Sequence, residues 1–245
     1  MKKAVSVFLL ATLPALYGAA YANQTSTSVD GAIATEANNQ VAAAENNIAN
    51  TAEVALQSLL SDMKQFRADF AQTVVDADQN IVHEAQGVLT MTRPNKLRWE
   101  TTFPDETLLI ADGESVWNVD SFVEQVTVLS QSKAVEDNPI VLLTASDIAT
   151  WNKFNIRKVD TSSVEGDDVA KQLSSFQVTP KELGGQISAL TLTFNQNNEL
   201  AALNMLDAQQ QISTLVFKDI ETRFPLAADT FTVAIPDSFI IDDQR

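Results

Sequence analysis

The chain has 245 residues, no cysteine, a single histidine and a formal net charge of -16. Without cysteine there is no disulfide framework and no thiol to carry a lipid, so the core alone must hold the fold. The acidic balance excludes nucleic acid, whose binding needs a basic footprint, and opposes docking on anionic lipid surfaces; by itself it signals solubility.

The first residues read as an export signal. Lys2 and Lys3 precede an apolar run over 5–20, broken by Pro14, and Ala20-Tyr21-Ala22 is a small-x-small cleavage site. The run is too short to span a bilayer, so residues 1–22 are expected to be removed. Cleavage takes Lys2 and Lys3 and no acid, which moves the net charge from -16 to -18. If the host is a Gram-negative bacterium, the product is a soluble periplasmic protein and not a lipoprotein. Residues 23–50 are rich in Ala, Asn, Thr, Gln and Ser and hold no aromatic residue, the composition of a solvated linker. Residues 51–245 then form one domain.

A helix is expected from Asn50, which can cap it, with Glu53 three residues on. Leu56, Leu59, Leu60 and Met63 recur at helical spacing, and Phe66 extends the stripe. From Ala68 the pattern changes to short extended runs parted by turn chemistry. Pro94-Asn95 suits a turn between strands 87–93 and 96–101, and Asp112-Gly113 a hairpin between 107–111 and 115–120. Gly184-Gly185 and Asn197-Asn198 flank a strand over 186–195. Further strands are expected at 124–130, 155–160, 173–179, 200–207, 212–218 and 231–234. Tight hairpins between successive strands make an antiparallel meander. One helix interrupts it, opened by Asn138-Pro139 and continued by Ile140, Val141, Leu142 and Leu143, with a short turn at 147–151. Strand 200–207 and the stretch 107–119 are apolar on both faces, which predicts cover on both sides or a sheet curled round its own interior.

Reaction chemistry is scarce. His83 lacks a triad context, no nucleophile elbow or phosphate loop is present, and the chain has no metal-ligand spacing. The acids around Gly166 read as a solvated turn and Asp242-Asp243 as a tail charge. A hidden carboxylate pair is a distant alternative. The expectation is therefore no catalytic residue, no metal and no cofactor. What remains is apolar surface, with Arg93 at a turn among it; an arginine there can bind loop carbonyls at a cavity rim, although most arginines beside turns are solvated.

The order of particular residues carries a resemblance. Phe66-x-Ala68-x-Phe70-x-Gln72 is followed by Gly87, Arg93-Pro94-Asn95, Trp99, Pro104-Asp105-Glu106, Asp112-Gly113 and Trp117. Phe122-Val123-Glu124-Gln125 and the closing Asp242-Asp243-Gln244-Arg245 complete it. From about residue 52 to its end the chain resembles the LolA family of periplasmic outer-membrane lipoprotein carriers. The resemblance implies a mainly β fold, an unclosed antiparallel β-barrel covered by short lid helices. It implies that the cavity binds acyl chains of lipoproteins released by an inner-membrane ABC-type complex and passes them to an outer-membrane acceptor. Arg93 matches the family's lid latch. Leu97 matches the bulky residue at the cavity entrance, often aromatic in the family, and Leu60, Phe66, Trp99, Ile140 and Leu143 match cavity or lid positions. The expected state is a monomer without nucleic-acid partners. A periplasmic sensor or binder of lipids or other apolar ligands on the same fold is the alternative. The 23–50 segment departs from the family, whose mature chains begin near the first helix.

Overall fold

The computed structural model describes residues 51–137, 139–159, 173–182 and 185–245, all within one compact unit. The expected signal segment 1–22, the linker 23–50 with its cap at Asn50, Asn138, the acidic turn around Gly166 and Gly184 lie outside them.

Helix α1 covers residues 51–62. Ala52, Leu56 and Leu60 are buried one turn apart, and Met63 continues the row past the helix end. Leu56 and Leu60 are wholly sealed, and each contributes about 1.5–3 kcal/mol by leaving water. Phe66 does not extend this helix, contrary to the expectation from its spacing. The chain turns at Lys64, whose amide donates to Asp62 O at 3.0 Å, and Phe66 is the second residue of strand β1, Gln65–Val75. The apolar period changes there: Phe66, Ala68 and Phe70 are buried at a spacing of two, with Asp69 and Ala71 exposed.

The other strands are β2 (Ile81–Thr92), β3 (Lys96–Phe103), β4 (Thr107–Ala111), β5 (Ser115–Asp120), β6 (Gln125–Ser130), β7 (Phe154–Val159), β8 (Ser174–Pro180), β9 (Ile187–Phe194), β10 (Leu200–Asp207), β11 (Ile212–Glu221) and β12 (Ile240–Asp243). They form one sheet of 12 strands in the order β12-β6-β5-β4-β3-β2-β1-β11-β10-β9-β8-β7. Every neighbouring pair is antiparallel except β12 with β6, which is parallel. The edges β7 and β12 do not pair with each other among the described residues, so the sheet curls without closing.

Between β6 and β7 run α2 (Gln131–Asp137), a 3₁₀ turn (Pro139–Leu143) and α3 (Ile148–Trp151). Pro139 opens its helix as expected, but the helix is a single tight 3₁₀ turn. This covering segment, 131–151, delivers Ile140, Leu142, Leu143 and Trp151 into the main core. There they join Leu56 and Leu60 of α1, Phe66 and Phe70 of β1, and Phe176, Leu190, Leu192 and Phe194 of β8 and β9. Edge-to-face ring pairs lock the packing: Phe66 with Phe217 at 5.4 Å, Phe70 with Trp99 at 5.2 Å and Phe176 with Phe194 at 6.1 Å.

The stretch 107–119 is apolar on both faces because both faces are covered. Leu109, Ala111 and Val116 enter the main core, while Leu108, Trp117 and Val119 pack outside with Val126, Val128, Val233, Ile235 and Phe239. Strand β10 has a different cause: a register shift between Leu200 and Ala202 brings Leu200 and Leu203 into the same core. The strand expected over 231–234 is not formed; that stretch is a non-strand strap across the outer face. Asp242-Asp243 is no loose tail, because both residues lie in β12, opposite Thr127 and Val128 of β6.

Candidate functional site

The turn Arg93-Pro94-Asn95 joins β2 to β3 and gathers three segments. Its first residue donates its amide to Lys64 O, just past α1, at 3.0 Å. Asn95 sits at φ 61°, a left-handed conformation that Asn tolerates, and its amide donates to Thr144 O at 3.0 Å. The Asn95 carbonyl accepts from Nε2 of Gln131 at 3.1 Å. Nη2 of Arg93 donates to the carbonyl of Ala145. One turn therefore fastens the end of α1, the first residue of the covering segment and that segment's stretch after the 3₁₀ turn.

Arg93 is half-buried, and burial pushes its guanidinium down from its ordinary value. No carboxylate pairs with it among the described residues, and its Nη1 is buried without a hydrogen-bond partner. Its fastening is thus between a cation and a neutral carbonyl, a bond worth about 1.5–3 kcal/mol. Beside it opens a cleft of about 660 Å³ between α1 and α3, lined by Ser58, Ser61, Lys64, Arg93, Ile148 and Trp151 among others. Val54 and Ile148, 60% and 76% exposed, stand at its walls.

The structure brings five of the expected cavity residues together under the cover. Leu60, Phe66, Leu97, Ile140 and Leu143 are all fully buried in one cluster, and Trp99 packs partly buried against it. None of them lines the open cleft. The interior is filled by the protein's own side chains, and the covering segment supplies part of the filling. Acceptors Thr144 O and Ala145 O, and the Gln131 side chain, escaped the sequence reading. Backbone carbonyls leave no mark in a sequence, and a lone glutamine at a helix start has no distinctive signature. Among the described residues no group of three or more His, Asp or Glu side chains could hold a metal ion. Nor is any described helix long and apolar enough to cross a membrane.

An unclosed sheet curled round an apolar filling, with a covering segment fastened to one turn, defines a class: mainly β proteins with a lidded apolar interior. Comparison with known sequences narrows the class. The chain belongs to the family of the outer membrane lipoprotein carrier protein LolA, whose family model matches residues 61–234. An outer-membrane lipoprotein carrier protein of Pseudoalteromonas translucida (strain TAC 125) is 35% identical over 192 residues, covering 78% of this chain and 86% of that protein. One from Pectobacterium carotovorum subsp. carotovorum (strain PC1) is 35% identical over 190 residues, covering 78% and 87%. Among solved structures, a LolA superfamily protein from Nitrosomonas europaea aligns over 72% of this chain and 97% of its own, at 15% identity and a TM-score of 0.41.

Proposed function

We propose that the protein is a periplasmic carrier that takes up the acyl chains of lipoproteins and moves them to the outer membrane. Family membership supports the class of cargo. The observation that carries the reading is the filled interior: Ile140, Leu142 and Leu143 occupy it as an apolar filling contributed by a segment outside the sheet. Such a filling is chemically equivalent to an acyl chain and can be exchanged for one. Each buried methylene of a chain contributes about 0.8 kcal/mol, so lipid-anchored cargo needs cover to cross water. In this reading Leu60, Phe66, Leu97, Trp99, Ile140 and Leu143 line the space that opens, and Arg93 is the latch on Ala145 O. The finer roles follow from the family: an inner-membrane ABC-type complex supplies the cargo and an outer-membrane acceptor receives it. Uptake needs no covalent step, and no catalytic residue is assigned.

The test is release. Inner-membrane vesicles bearing the exporter and a labelled outer-membrane lipoprotein are incubated with the purified mature protein and ATP. Label entering the soluble fraction together with the protein is expected. Label retained in the membrane, while a known carrier works in parallel, would overturn the reading.

A further inference from the structure

Gln131 is 9% exposed and is the first residue of the covering segment. Its amide N–H donates to Glu114 O at 2.9 Å, in the hairpin loop between β4 and β5. Its side chain reaches in the other direction, and Nε2 donates to Asn95 O at 3.1 Å, a contact between residues 36 positions apart. That same Asn95 donates its amide to Thr144 O, beyond the 3₁₀ turn. The start of the covering segment and its stretch just past the 3₁₀ turn are therefore fastened to the two backbone groups of one residue. Oε1 of Gln131 is buried without a hydrogen-bond partner, as is Nη1 of Arg93. Each of the two side chains that fasten the cover thus keeps one polar atom desolvated and unpaired, which offsets part of what its bond contributes.

We propose that Gln131 is a positioning residue for the cover: it couples the start of the segment to its latched stretch at Thr144 and Ala145 through Asn95, so that both release together, and its unpaired Oε1 keeps that release easy. The coupling passes through the Asn95 Cα, where the two rigid peptide planes that carry its amide and its carbonyl meet. The Asn95 carbonyl and amide sit on a left-handed residue with little freedom, and movement of one displaces the other. A purely apolar side chain at this position would fill the space without linking the ends. This inference rests on the carrier reading only for its purpose; the coupling itself is a property of the closed protein.

The experiment is amide hydrogen exchange on the whole mature chain, followed residue by residue for the wild type and for Gln131→Met, which keeps length and apolar packing. The Asn95 amide is expected to exchange roughly tenfold faster, the effect of losing one buried hydrogen bond. Leu89, in the middle of β2 opposite Trp99, is expected to keep its rate. Gln131→Glu, which presents only acceptors to Asn95 O at neutral pH, should give an equal or larger effect. An unchanged Asn95 rate in both variants overturns the proposal. Equal acceleration at Asn95 and Leu89 also overturns it, because that is general destabilisation. Failure of the wild type to take up a fluorescent sixteen-carbon fatty acid would overturn the carrier reading alone, leaving the exchange comparison to decide on Gln131.

Discussion

The sheet has two apolar faces, and each is covered by a segment that is not part of the meander. On the inner face the cover is 131–151, and its fastenings are Arg93 to Ala145 O, Asn95 to Thr144 O and Gln131 to Asn95 O. On the outer face the cover is the strap that brings Val233, Ile235 and Phe239 over Val119, Val126 and Val128. The strap ends in β12, whose four residues pair with β6, and in Arg245, which holds Asp243 at 2.6 Å and lies 5.7 Å from the Trp117 ring centroid. Among the described residues, the charged groups that fasten the inner cover, Arg93 to Ala145 O and Lys133 to Gln244 O at 3.5 Å, both meet neutral acceptors, and Arg93 and Gln131 each keep one buried polar atom unpaired. The outer cover has a strand ladder with β6, and its internal Arg245–Asp243 pair sets Arg245 beside Ser115 and Trp117. The outer segment is built into the sheet, whereas the inner one is tied to the turn at 93–95 by a few hydrogen bonds.

The contrast can be broken first by volume. Phe66 is fully buried in the inner cluster and stacks edge-on against Phe217, so Phe66→Ala should cost about 3–5 kcal/mol. Val128, equally sealed but in the small outer cluster, should cost only about 2 kcal/mol on truncation to Ala. Denaturant unfolding with unchanged slope measures both. Equal losses would mean that the outer cluster is as much a part of the cooperative core as the inner one.

The second way is to cut the inner fastening. Arg93→Leu removes the bond to Ala145 O and with it the unpaired Nη1, so stability should change by no more than about 1 kcal/mol. Lipoprotein transfer should fall roughly tenfold, the scale of a coupling between a switch and its ligand. Transfer at the wild-type rate by a folded Arg93→Leu protein would remove the latch role.

Much of this was legible in the sequence. Asp112-Gly113 and Asn197-Asn198 marked their turns because left-handed geometry restricts the residues that fit; Gly113 sits at φ 113° and Asn198 at φ 60°. The resemblance carried fold and family, and it placed Arg93 at the cover. Misreadings arose where one pattern served two structures. Phe66 satisfies both a helical stripe and the alternation of β1. Val233 and Ile235 alternate like a strand, yet residues 231–235 form no ladder with the sheet, and the strap pairs with it only further on, in β12. Gly87 belongs to the family pattern, and the fold supplies its reason: an added Cβ would lie 2.0 Å from Glu100 O and 2.7 Å from the Phe70 ring. The parallel pairing of β12 left no local trace, since partner choice between residues more than a hundred positions apart is a property of the assembled sheet.

The smallest effect separates the two covers by pH. Arg245, through its side chain and then its backbone amide, holds the Asp243 carboxyl down at about 2 from an ordinary 3.8. A carboxyl depressed in the folded state favours folding above its unfolded value and loses that contribution as pH falls through its folded one. The end of the strap should therefore loosen between pH 4 and pH 2. Exchange at the Gln244 amide, which donates to Val128 O, should rise there relative to the unstructured rate. Among the described side chains of the inner cover, Asp147 is a carboxyl with a shifted value: burial raises it, but hydrogen bonds from Thr150 outweigh that and leave it below its ordinary value. Asp147 caps α3 and takes no part in the bonds at Asn95, so the Asn95 amide should show no comparable rise. Asp243→Asn should flatten the Gln244 response without touching Asn95. If the variant keeps the wild-type rise, a carboxyl other than Asp243 titrates there, and the Arg245–Asp243 pair is not the acid-sensitive part of the strap.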